Sequence, residues 1–212
     1  MLHRFILTLM LAALLVTLNG CFSLKPASGD QQYYLLTGNS SNSSSPHTGP
    51  GSIVRLLPIE VPDYLQTRNM AVRTGSNEMI FPTFHEWGEP LDAGIRRVLA
   101  EDLRASPGIQ DVLTDEPPAA GAAVYVILIH ILSCEGINTN GHSSILFKAA
   151  WEISESGNVA PFAHGTFNAQ PNRWQPGDYS DLAAQLSRAV ESLSRELSAA
   201  ITSKTMTNEK PG

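Results

Sequence analysis

Residues 122–132, AAVYVILIHIL, and residues 144–153, SILFKAAWEI, decide the fold. The first stretch is apolar at odd and even positions alike, the pattern of a strand covered on both faces. The second alternates: Ile145, Phe147, Ala149, Trp151 and Ile153 share one side, with Ser144, Lys148 and Glu152 on the other. That predicts a strand with one face on a core and the other in water. Downstream, Leu182, Leu186, Val190, Leu193, Leu197 and Ile201 recur at helical spacing after Asp178 and Ser180, either of which can cap a helix. Upstream, Pro90 is suited to a first helical position, and Leu91, Ile95, Val98, Leu99 and Leu103 form a second apolar stripe. Arg96, Arg97, Glu101 and Arg104 are expected to turn outward from it, and Ser106-Pro107-Gly108 to stop it.

Further out, Gln32–Thr37 (QYYLLT) and Ser52–Val61 (SIVRLLPIEV) read as strands, the second with an edge or bulge at Pro58, which has no N–H to donate. Asn69–Arg73 and Glu78–Pro82 flank a turn at residues 74–77, and Gln110–Leu113 and Val159–Phe167 complete the strands. Gly38–Gly51 is a polar, low-complexity loop. The sum is an α+β fold: one domain over residues 32–202, with two helices on one face of a mixed, mostly antiparallel sheet. Residues 203–212 are expected to be a disordered tail.

The 192 residues from Cys21 onward carry 13 Lys and Arg against 20 Asp and Glu, a net charge of −7 that argues against nucleic acid. Catalytic patterns are sparse. Gly141-His142-Ser143-Ser144 holds half of a nucleophile elbow but leads into a strand, and His85-Glu86 begins a metal motif that does not continue. Glu86 and Glu89 stand ahead of a helix, where carboxylates favour its positive end more simply than they form an acid–base pair. His130 is expected to be a satisfied core group and Cys134 a buried thiol. No enzyme, metal or cofactor is expected, apart from a covalent lipid.

That lipid follows from the first residues. His3 and Arg4 precede an apolar run, Phe5–Leu18, too short to span hydrocarbon as a helix. Leu18-Asn19-Gly20-Cys21 resembles the lipobox of bacterial lipoproteins, which implies that residues 1–20 are a signal peptide and that Cys21 becomes the acylated first residue. Several acyl chains hold a protein where one does not. Phe22 stands where aspartate would favour the inner membrane, so the resemblance points to the periplasmic face of the outer membrane. Residues 21–31 form a tether whose ten residues after Cys21 reach roughly 15–20 Å.

Tyr33-Tyr34-Leu35-Leu36, the phrase Pro58–Leu65 (PIEVPDYL), the phrase Phe84–Leu91 (FHEWGEPL) and Trp151 together resemble the ABC-type transport auxiliary lipoproteins, and within them the paraquat-inducible protein C group. Gly88 and Glu86 depart from the commoner alanine and basic residue. The resemblance implies a non-catalytic envelope component that docks a periplasm-spanning protein built from mammalian-cell-entry domains, in intermembrane lipid transport and membrane integrity, with a possible homo-oligomeric ring. Pro62, Tyr64, Leu65, Phe84, His85 and Trp87 are the candidate docking patch, because loops there carry apolar groups that the core does not obviously need. The competing reading is that Phe84 and Trp87 plug the sheet end against the first helix. A scaffold or enzyme-activating lipoprotein, or a small hydrolase using Ser143 and His142, are the other function classes.

Overall fold

Asn140 and Gly141, both in the left-handed region (φ 51° and 76°), make the two-residue turn of a long hairpin in the computed structural model. Its arms are β7 (Val124–Thr139) and β8 (His142–Glu155), paired antiparallel from Tyr125 with Glu155 to Thr139 with His142. The structure describes residues 29–38, 51–115, 124–158 and 160–208. The signal segment, Cys21, most of the tether, nearly all of the low-complexity loop and residues 209–212 of the tail lie outside these. The fold is that of the unit beginning at Gln31.

On β8 the expected alternation holds: Ile145, Phe147, Ala149, Trp151 and Ile153 are buried, while Lys148 and Glu152 are exposed. On β7 the expectation of two covered faces fails. Ile127, Ile129 and Ile131 are buried under the helices, but Val126, Leu128 and His130 are half-buried and Leu132 is 46% exposed. The run is apolar throughout, yet both helices lie on one side. A bulge at Leu132 then shifts the register, so that Cys134 and Gly136 turn inward and Glu135 turns to the opposite face.

β2 (Ser52–Leu56) and β3 (Val72–Gly75) lie one after the other along the same edge of β7, both parallel to it. Pro58 interrupts the ladder after Leu57 donates to Ile127, and a bridge between Glu60 and His130 resumes it. The chain leaves again at Pro62 and returns at Ala71, whose carbonyl accepts the N–H of Gly136. β4 (Glu78–Ile80) pairs with β3, β6 (Ile109–Leu113) with β2, and β9 (Ala163–Asn168) with β8.

β1 (Gln32–Tyr34) does not join this sheet. It pairs in parallel with β5 (His85–Trp87), a strand within what the sequence presents as a cluster before the helix.

Helix α1 (Leu91–Arg104) starts after an extended Pro90, and its predicted stripe is buried. Arg97 and Arg104 stay largely at the surface as expected and Arg96 less so, yet all three reach back to flanking carbonyls. Arg97 donates to Leu36 O (2.8 Å), Arg96 to Leu56 O (3.1 Å) and to Thr114 O, and Arg104 to Val112 O (2.6 Å). They tie carbonyls of three flanking segments to one helix. Helix α2 (Tyr179–Asn208) is capped by the Asp178 carboxylate, which accepts the Asp181 N–H at 3.0 Å. All six residues of its predicted stripe are buried. The helix continues to Asn208, so the tail expected from residue 203 is helical that far. Nothing among the described helices is long and apolar enough to cross a membrane.

Two glycines let tryptophans lie flat on strands. A Cβ on Gly165 would sit 2.8 Å from the ring of Trp151, its cross-strand partner, and one on Gly136 would sit 3.0 Å from the ring of Trp174. Trp174 donates its indole N–H to Ile137 O at 3.1 Å, and Trp151 donates to Glu196 on α2 at 2.8 Å.

Candidate docking surface

The excursion of the chain between β2 and β3 borders an open cleft on the surface. Pro62 leads into a single 3-10 turn, Asp63–Leu65, after which the chain runs to Met70. This segment is clamped from beneath. Glu135, fully buried on the face of β7 away from the helices, accepts the Tyr64 hydroxyl at 2.7 Å and two bonds from Arg73, at 2.6 and 3.0 Å. A buried carboxylate is costly unless charge and hydrogen bonds compensate it, and here both of its oxygens are engaged. Burial and then the neighbouring carboxylate push the Tyr64 hydroxyl well above the ordinary tyrosine range.

The second candidate segment meets the first through its backbone. Met70 N–H donates to His85 O, and Trp87 N–H to Arg68 O. Their side chains diverge. Leu65 is 3% exposed and Trp87 4%, so these two side chains lie in the core, a correction to the exposed position expected of them. Apolar side chains in a loop point inward here because the segment is clamped over the sheet rather than held away from it. Pro62, Tyr64, Phe84 and His85 are half-buried.

The His85 ring stacks on Tyr179 of α2 with centroids 3.9 Å apart, and its Nδ1 lies 2.9 Å from the Tyr34 hydroxyl. Desolvation lowers its pKa from the ordinary histidine value. Trp174 closes this aromatic group against Tyr179. His85 therefore joins β5 to the last helix, while Tyr64 joins the turn to β7.

What stands open beside them is a cleft of about 650 Å³. Glu60, Val61, Asp63, Gln66, Thr67 and Arg68 form one wall, and Pro90, Leu91 and Asp92 at the start of α1 form the other. Three carboxylates and one guanidinium border it, a polar wall suited to a chain segment of complementary charge rather than to a small apolar ligand. None of Glu60, Arg68 and Asp92 is singled out by the sequence. The available signal was positional and covers only two of them: Glu60 and Asp92 each stand two residues from a proline that bounds a regular element.

The remaining chemistry-bearing residues are placed as follows. Ser143 donates its hydroxyl to Trp174 O at 2.6 Å, spending its proton on a backbone carbonyl rather than on a base. Glu89 is paired with Arg97 at 2.6 Å. His130 is not the core group expected: its side chain is 41% exposed and lies 2.9 Å from Glu60 Oε2. Cys134 is buried and free, its thiol pushed up by burial and then by Glu135. The described residues contain no cluster of three or more His, Cys, Asp or Glu arranged for a metal.

No curated protein matches the sequence. Among solved structures, a Xanthomonas campestris protein of the DUF330 family superposes with a TM-score of 0.69 at 13% identity, covering 84% of this chain and 99% of that one. An uncharacterized protein superposes with a TM-score of 0.63 at 16% identity, covering 82% and 99%. These likenesses establish the fold. The sequence profile of the ABC-type transport auxiliary lipoprotein component matches residues 34–198, the whole body from β1 to the middle of α2. The chain thus belongs to the ABC-type transport auxiliary lipoprotein family.

Proposed function

We propose that this chain is a non-catalytic lipoprotein of the outer membrane's periplasmic face, held by acyl groups on Cys21, in an intermembrane lipid transport system that preserves membrane integrity. Its role is to dock the end of a periplasm-spanning protein built from mammalian-cell-entry domains. The cleft between Glu60–Arg68 and Pro90–Asp92 is the docking site, and it is the observation that carries the reading. It is open and charged, and the Tyr64–Glu135–Arg73 contacts fix one wall while the start of α1 supplies the other, so little order has to be gained when a partner arrives. A ring of copies around the end of the spanning protein would give lipid a central path.

The test is mild detergent extraction of the tagged lipoprotein, followed by identification of the proteins that accompany it. Asp63→Lys with Arg68→Glu reverses two exposed charges of the cleft without touching the clamp. The double variant is expected to fold as the parent does, by circular dichroism, and to lose the spanning protein. Retention of that partner at parental yield, or its absence from the parental extract, would overturn the reading.

A further inference from the structure

β1 and the two residues after it present their two sides unequally. Tyr34 and Leu36 turn into the body, Tyr34 against His85 and Leu36 at 2% exposure. Tyr33 and Leu35 point the other way and are 61% and 53% exposed, two large apolar side chains, one on β1 and one just after it, where among the described strands β1 pairs only with β5. Leu35 lies across Gly88, where a Cβ would come within 3.1 Å of it, so the bare backbone just after β5 gives it a flat seat.

Its position in the chain says what covers this pair. Cys21 is twelve residues before Tyr33, a span that flexible chain bridges at roughly 17–21 Å on average. A body tied to a bilayer by so short a leader keeps its first strand within reach of the lipid. Between Cys21 and Tyr33 the sequence carries one Lys and one Asp, so the approach is electrically neutral. A tyrosine is suited to the headgroup level, its ring in the apolar boundary and its hydroxyl in water.

We propose that Tyr33 and Leu35 form a second, non-covalent membrane contact, seated in the headgroup layer of the bilayer that holds the acyl chains. The contact orients the body, with the β1 edge toward the lipid. This rests on acylation of Cys21 as proposed above.

The test uses the full lipoprotein in phosphatidylethanolamine–phosphatidylglycerol vesicles, with Leu35→Cys carrying an environment-sensitive fluorophore. Thr166→Cys on β9 is the control; the buried Cys134 stays unlabelled. The expected result is a blue-shifted emission at position 35, quenching by brominated lipid, and iodide quenching several-fold weaker than at position 166, all unchanged by raising the salt. Equal iodide quenching at the two positions in protein shown by mass spectrometry to be acylated would overturn the contact and leave the anchor standing. Shielding that grows with the protein-to-lipid ratio would overturn it in favour of a second copy. Protein that carries no acyl group and does not float with vesicles would overturn anchor and contact together.

Discussion

From Val126 to Ile131, β7 buries alternate residues, all isoleucine, and leaves valine, leucine and histidine half in water. From Cys134 to Gly136 the same strand buries three in succession, a thiol, a carboxylate and a glycine. The first half needs only water to drive it, because any apolar side chain on the inward face gains by burial. The second half needs partners. Glu135 must have Arg73 and Tyr64 from segments more than sixty positions earlier in the chain, and Gly136 must have the ring of Trp174 laid over it. One strand is therefore tolerant at one end and exacting at the other, and the exacting end underlies the turn that walls the cleft.

The largest expected effect comes from breaking the clamp. Arg73→Ala leaves the Glu135 carboxylate buried with only the Tyr64 hydroxyl, at a cost of about 3 kcal/mol in denaturant unfolding. Ile129→Val in the tolerant half should cost about 1 kcal/mol. Next, Gly136→Ala forces a methyl against Trp174 and is expected to lose about 2 kcal/mol; Gly165→Ala under Trp151 should behave alike. Tyr64→Phe removes one bond to a charged acceptor and should cost about 1.5 kcal/mol, with weaker partner retention because the cleft wall loosens.

A pH series sharpens the same contrast. Since the Tyr64 pKa is raised on folding, its contribution is complete below the unfolded tyrosine pKa of about 10 and is lost as pH rises above it. Cys134 acts with the same sign, so the parent and Tyr64→Phe are compared in a Cys134→Ala background. Above about pH 10, melting temperatures there should fall more steeply in the chain that keeps the Tyr64 hydroxyl than in the one that lacks it. The smallest effect is expected at Leu132→Ser, on the open face, within about 0.5 kcal/mol of the parent.

The contrast also explains what could be read in advance. The β8 alternation and the two helical stripes were legible because burial imposes a period on the residues themselves. The second half of β7 was not, because Glu135 and Gly136 resemble a strand end unless Arg73, Tyr64 and Trp174 are known to be near. Asn140-Gly141 was a readable hairpin signal that the glycine-and-serine pattern after it obscured. Of the candidate patch, His85 and Trp87 lie in the segment that meets Arg68 and Met70, but nothing local tells that Leu65 and Trp87 face inward while Asp63, Arg68 and Asp92 border the opening.

The helix that roofs β7 and β8 is formed by the final thirty-residue element of the described chain. A polypeptide released from its beginning onward therefore carries an uncovered greasy sheet until that last stretch is free, and only then can it close. Closure of the body thus waits on residues 179–201, which supply the apolar stripe that covers β7 and β8.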